Sequence, residues 1–184
     1  KILDEKIINK IIKPTLAGLN KMNISFSGFL YAGLMIVKGE PFLIEYNVRM
    51  GDPECQTILP RLKSDFADII LSCVEQKLSS SLIEWHNDKS ICIVLCSKGY
   101  PDKFDNNVEI KELEKIRLNN KEFIFHAGTK KKDSVIISNG GRVLNFVVRC
   151  NDFKTGRDKA IKLLNQLNWV NGFFRKDIGY KVIN

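Results

Sequence analysis

The stretch Phe42-Leu-Ile-Glu-Tyr-Asn-Val-Arg-Met-Gly-Asp-Pro-Glu-Cys-Gln56 runs as an apolar strand into an abrupt Gly-Asp-Pro turn. Read as a strand over residues 41–50, its side chains alternate, with Glu45, Asn47 and Arg49 on one face and Ile44, Tyr46 and Val48 on the other. A carboxylate, a carboxamide oxygen and a guanidinium at this spacing offer two hard oxygen ligands to a cation and a planar fork to an anion. That combination suits magnesium with a phosphate beside it. Gly51 admits a turn that other residues resist, Pro53 stops the strand from continuing, and Asp52 and Glu54 add two carboxylates. A solvent-facing sheet edge would carry similar charges, so the surrounding sequence has to decide.

The 184 residues, 44% hydrophobic and 27% charged, can bury a sizeable core as one domain or two small ones. Apolar runs such as residues 91–96 fall far short of the roughly 20 residues of a membrane-spanning helix. The first residue is Lys1 and no secretory signal follows it, so the chain is expected to start within a longer polypeptide. Five cysteines (Cys55, Cys73, Cys92, Cys96 and Cys150) lack CxxC spacing and are odd in number, which argues against a disulfide framework and for a cytoplasmic setting. Cys92 and Cys96 share a strand face and read as small buried hydrophobes. The net charge of +8 attracts polyanions, but apart from Lys130, Lys131 and Lys132 the cations are dispersed and no nucleic-acid motif accompanies them. That short cluster reads as a solvated turn.

Along the chain, Ile7, Ile8, Ile11, Ile12, Leu16 and Leu19 recur at helical spacing over residues 1–22, with Pro14 expected to kink the helix or begin a second segment. Residues 24–37 read as one long strand interrupted by Gly28 and Gly33, and Lys38-Gly39-Glu40 turns it back as an antiparallel hairpin. A helical turn is expected in residues 55–63. Ser64 or Asp65 then caps a helix to about Lys77, with Phe66, Ile69, Ile70, Cys73 and Val74 inward. After a polar boundary at Ser79-Ser80-Ser81 the second half is mostly sheet: strands over 90–97, 122–127, 134–138 and 142–149. A helix over 152–167 follows, then an extended or irregular tail. No Gly-rich phosphate loop of the Walker or dinucleotide kind is present, so most of any nucleotide cradle lies elsewhere.

The blocks Gly28-Phe-Leu-Tyr-Ala-Gly-Leu-Met35 and Ile44 to Gln56, with the spacing between them, resemble the phosphoribosylamine–glycine ligase (glycinamide ribonucleotide synthetase) family of ATP-grasp enzymes of purine biosynthesis. The likeness continues through Leu59-Pro60-Arg61-Leu62-Lys63-Ser64-Asp65, Gly99-Tyr100-Pro101, Phe125-His126-Ala127-Gly128-Thr129, Gly140-Gly141-Arg142-Val143-Leu144 and Arg175-Lys176-Asp177-Ile178-Gly179. It therefore covers nearly the whole chain. Met50 departs from the Phe or Leu usual in the family, and a thioether can make the same apolar contact.

The resemblance implies an α+β chain: the C-terminal lobe of an ATP-grasp fold (antiparallel sheet with helices) over residues 1–85, then a small, mainly β C-terminal domain over 86–184. It implies a ligase that joins glycine to 5-phosphoribosylamine, using ATP, through a glycyl phosphate. By similarity Glu45 and Asn47 ligate the magnesium or manganese that bridges the ATP phosphates, and Arg49 stabilises phosphoryl charge in catalysis. Asp52 holds the glycine amino group, and Arg142 grips the ribose 5-phosphate. His126 is expected to be a hydrogen-bonded structural residue and His86 a surface one. The strand before Glu45 supplies no further carboxylate, so water or substrate oxygens complete the metal's shell. The family's N-terminal substrate-binding and adenine-binding parts are expected in cis or in trans, and the isolated chain is expected to be inactive. Two alternatives stand beside this reading: another ATP-grasp carboxylate–amine ligase, and a nonenzymatic basic module binding RNA or a protein.

Overall fold

The structure is a computed structural model that describes residues 2–167 and 169–183. The chain divides into two compact units, one made of the residues up to Gly51 with Ser64–Ile83, the other of Asp52–Lys63 with the residues from Glu84 onward. The crossing falls between Gly51 and Asp52, inside the Gly-Asp-Pro turn. Among the described residues no helix is long and apolar enough to cross a membrane.

The first unit opens with helix α1 (Ile2–Ile7), a π-helical turn (Ile8–Ile12) and helix α2 (Lys13–Lys21). Pro14 has no N–H and its ring crowds the preceding turn. A second segment begins there, as expected: a π-helical turn precedes the proline, the Lys13 N–H reaches back five residues to the Ile8 carbonyl, and α2 takes Pro14 in its first turn. Ile11 is buried, while Ile8 and Leu16 keep substantial exposure.

Strands β1 (Tyr31–Val37) and β2 (Glu40–Asn47) form the expected antiparallel hairpin, turning at Lys38 and Gly39, both at positive φ. The strand expected from residue 24 starts only at Tyr31. Gly28 sits at φ 143°, a region closed to side chains, and Phe29 stacks on Phe66 at 6.2 Å instead of alternating in a sheet. Helix α4 (Phe66–Val74) begins at Asp65, whose carboxylate accepts the amides of Ala67 and Asp68, and it ends before the expected Lys77. Val74, expected inward, is exposed.

Polar contacts tie the first helix to the hairpin. Tyr46 and Thr15 share a hydroxyl–hydroxyl hydrogen bond of 2.5 Å, and Lys6 and Lys10 both reach the carboxylate of Glu40, the latter at 2.6 Å. These cations hold the Glu40 carboxyl down at about 2, Lys10 contributing most. Because the folded-state value lies below the ordinary one of 4.5, the pair's contribution is complete above pH 4.5 and is lost as pH falls toward 2. Between those values the urea midpoint of this unit is expected to fall more steeply than in Glu40→Gln. Parallel slopes in the two proteins would contradict the assignment.

The second unit is built on a four-stranded antiparallel sheet ordered β4 (Glu122–His126), β7 (Arg142–Cys150), β3 (Lys89–Ser97), β8 (Gly172–Phe173). Ile91, Ile93 and Leu95 of β3, with Leu144, Phe146 and Val148 of β7, pack against Ala160, Leu163 and Leu164 of helix α5 (Phe153–Gln166). Helix α3 (Glu54–Ile58) and the 3-10 turn after it (Leu59–Arg61) lie against the same sheet, and Arg149 donates to the Pro60 carbonyl at 3.1 Å. Cover on both faces explains why Val143 to Val148 reads as continuous and not alternating. Asp152 caps α5 by accepting the Thr155 amide.

Two details depart from expectation. The lysine cluster is not a turn: Thr129–Lys132 forms strand β5, paired with β6 (Val135–Ser138), and the lysine side chains stay exposed. The tail carries strand β8 and a short helix α6 (Tyr180–Ile183). His126 is hydrogen-bonded to the Thr129 hydroxyl at 2.8 Å, and His86, half-buried, has its proton affinity lowered by burial and by the neighbouring Arg149. The five cysteines are unpaired, and Cys92 and Cys96 are only half-buried on their shared face. The Cys92 thiol is pushed up to about 12, chiefly by burial and then by the charge of Asp52.

Candidate functional site

In the first unit, β2 brings Glu45 and Asn47 together. They sit on one strand face two residues apart, and the Asn47 amide donates to Glu45 Oε1 at 3.1 Å. The partner strand makes room for them. Glu45 lies opposite Gly33, and a β-bulge follows between Gly33 and Leu34. A Cβ on Gly33 would come within 3.0 Å of Glu45 Cγ, so the glycine clears the volume over which the carboxylate lies. Arg49 does not share this strand face, because β2 ends at Asn47 and Val48 and Arg49 form a bend. Its guanidinium is exposed and donates to the neighbouring Met50 carbonyl at 3.2 Å.

Among the described residues no group of three or more His, Cys, Asp or Glu is placed to hold a metal ion. Glu45 and Asn47 are nevertheless an oxygen pair of the kind a hard cation takes. They leave most of its coordination positions to other donors.

In the second unit, Asp52 and Arg142 meet although 90 positions separate them. Arg142 Nη1 donates to the Asp52 backbone carbonyl at 2.7 Å, and Nη2 lies 3.2 Å from Asp52 Oδ2. A bulge aims the arginine. Leu95 pairs with Leu144, but Cys96 pairs with Arg142, so Val143 is an extra residue in β7. Without it Arg142 would share the face of Leu95 and Leu144, which packs on α5. With it, Arg142 joins Cys92, Val94 and Cys96 on the side where the 52–63 segment lies. The two-glycine turn before Arg142 is tightly enclosed, since a Cβ on Gly141 would strike the Tyr100 ring at 2.1 Å and one on Gly128 would meet the Arg142 carbonyl at 2.6 Å.

A further residue belongs to this group. Gln56 donates from Nε2 to Asp52 Oδ1 at 2.9 Å. Gln56 lies in the first turn of α3, whereas Asp52 lies in the turn before it, so helical spacing alone did not reveal the contact. The pairing of Asp52 with Arg142, 90 positions apart, had no sequence signal either.

Comparison with known proteins places these residues in a family context. The family model "Phosphoribosylglycinamide synthetase, C domain" matches residues 90–181, and "Phosphoribosylglycinamide synthetase, ATP-grasp (A) domain" matches residues 1–55. A phosphoribosylamine–glycine ligase of Caldanaerobacter subterraneus is 40% identical over 180 residues, covering 96% of this chain and 42% of the relative. The trifunctional purine biosynthetic protein adenosine-3 of Gallus gallus is 41% identical over 179 residues, covering 97% of this chain and 18% of its own length. The crystal structure of a phosphoribosylamine–glycine ligase from Thermotoga maritima superposes with a TM-score of 0.79 at 32% identity, covering 94% of this chain and 42% of that one. The chain thus spans 42% of the length of the ligases it matches here.

Proposed function

The chain belongs to the phosphoribosylglycinamide synthetase family, and from that premise we propose that it supplies the C-terminal part of a ligase joining glycine to 5-phosphoribosylamine, with ATP converted to ADP and phosphate. The observation that carries the reading is the Glu45–Asn47 pair, hydrogen-bonded on one strand face opposite a glycine, within a segment that matches the ATP-grasp model. We take residues 1–85 as the C-terminal lobe of the ATP-grasp fold and 86–184 as the C-terminal domain. The remaining ligase domains act in cis or in trans, and the setting is cytoplasmic.

In this reading Glu45 and Asn47 hold a magnesium or manganese ion, which neutralises charge on the ATP phosphates when bound. Arg49, exposed at the bend that ends β2, reaches the phosphoryl group on which negative charge develops. The glycine carboxylate takes up the phosphoryl group and the amine of phosphoribosylamine then displaces phosphate. Such chemistry asks the protein for position and charge more than for proton transfer. Asp52 keeps lone pairs beyond those used by Gln56 and Arg142, and receives the glycine ammonium. Arg142 receives the 5-phosphate.

Manganese tests the first of these assignments in the chain itself. Titrated with Mn2+ in the range of about 0.1–1 mM expected for a site with few protein ligands, the Asn47 side-chain amide should broaden before other Asn and Gln amides. In Glu45→Gln that selectivity should disappear. Uniform broadening in both proteins would remove the metal assignment.

A further inference from the structure

We infer that Gln56 is a positioning residue for Arg142, acting through Asp52 to keep the guanidinium open for a phosphate ester. The inference rests on the reading of Arg142 as the phosphate-binding arginine and adds a residue to it.

An arginine on a sheet end, 41% exposed, loses considerable side-chain freedom when it closes on an anion. Prior fixation reduces that loss. Here the Asp52 carbonyl and one carboxylate oxygen hold Nη1 and Nη2. A neighbouring carboxylate is also a competitor, because Arg and Asp favour a bidentate fork in which both carboxylate oxygens pair with the guanidinium. Drawn onto the side of the guanidinium that carries Nε, that closed pair would occupy the edge a phosphate needs, since the Nη1–Nη2 edge already lies against Asp52.

Gln56 prevents the closure. Its Nε2 engages Asp52 Oδ1 at 2.9 Å, leaving Oδ2 alone to face Arg142. The amide cannot be turned the other way, since Oε1 would then confront the carboxylate. In the orientation present, Gln56 Oε1 is buried and has no hydrogen-bond partner among the described residues. An unpaired buried acceptor is destabilising, so a side chain kept in this state for stability alone would be better replaced. Its visible use is the bond to Asp52. Helix α3 holds Gln56 in its first turn, which Thr57 ties to the preceding loop by donating through both its amide and its hydroxyl to the Pro53 carbonyl.

The test is a double-mutant cycle read by NMR titration of the 184-residue chain with ribose 5-phosphate, following the Arg142 Nε–Hε resonance. Gln56→Met keeps the length and loses the donor, and is expected to weaken binding about three- to tenfold. Gln56→Glu, a second variant in case the first folds poorly, should weaken it at least as much. In the Asp52→Asn background, where no carboxylate competes, Gln56→Met should leave the affinity within about twofold. An equal loss in both backgrounds, or no loss in the first, overturns the role of Gln56. Arg142→Ala, followed on the backbone amides of Gly140 and Gly141, separates the two layers. If it binds ribose 5-phosphate as the parent does, the phosphate assignment itself fails. If it abolishes binding while Gln56→Met is silent, only the positioning claim fails.

Discussion

Gly128→Ala should destabilise the second unit by about 2–4 kcal/mol, at or above the usual range for overpacking, because the atoms in the way cannot swing aside. The added Cβ would stand 2.6 Å from the Arg142 carbonyl oxygen and 2.9 Å from Gly140 Cα, both backbone. Gly128 is also bonded on both sides: its amide donates to the Arg142 carbonyl at 2.8 Å, and its own carbonyl accepts the Asn139 amide at 2.8 Å. Relief therefore requires the turn before Arg142 to move as a whole. Both tryptophans, Trp85 and Trp169, belong to this unit, so urea unfolding followed by tryptophan fluorescence reports it directly. The Arg142 resonances should shift in the folded variant as well. A change below about 0.5 kcal/mol would mean that the turn is far more pliable than its packing implies.

The second large effect concerns Glu45. In a ligase assembled from this chain and the remaining domains, Glu45→Gln should lower kcat about 100- to 1000-fold, the scale seen when one preorganised electrostatic group is lost. The substitution preserves shape and the hydrogen-bonding atom that meets Asn47, and removes only charge. On the proposed role of Glu45 as a metal ligand, the loss should fall on kcat for every substrate alike, with the metal requirement moved to higher concentration. A variant retaining more than about a third of parental activity would show that Glu45 does not hold the metal.

How much of this could be read from residue order depends on the range of the interaction. The hairpin was legible because Lys38-Gly39 supplies a turn with positive φ between two apolar runs. The caps at Asp65 and Asp152 were legible because a carboxylate before an amphipathic run has one obvious use. Residues 24–30 misled, since Ile24, Phe26 and Phe29 look like strand although Gly28 takes a backbone angle that no strand with side chains supports. Strand β5 was hidden because three lysines in succession suggest solvent, and its turn uses Asp133 and Ser134 at positive φ without a glycine to mark it.

The candidate site divides in the same way. Glu45 and Asn47 follow from strand alternation, which is local. Arg49 seemed to follow too, but alternation stops where the strand stops, and that end is set by the bend at Val48 and Arg49. The Asp52–Arg142 contact depends on a bulge in β7 and on the 52–63 segment returning to that sheet, which are tertiary facts.

The central claim is that this chain is part of a phosphoribosylamine–glycine ligase, and the most direct measurement is amine- and glycine-dependent ADP release. The chain would be joined to the portion of the Thermotoga maritima relative that it does not match, and supplied with ATP, magnesium, glycine and 5-phosphoribosylamine. The account predicts ADP and glycinamide ribonucleotide in equal amounts from the joined protein, and neither from the chain alone. A joined protein that folds and binds ATP, yet releases ADP only with a different amine or makes no glycinamide ribonucleotide, would contradict it.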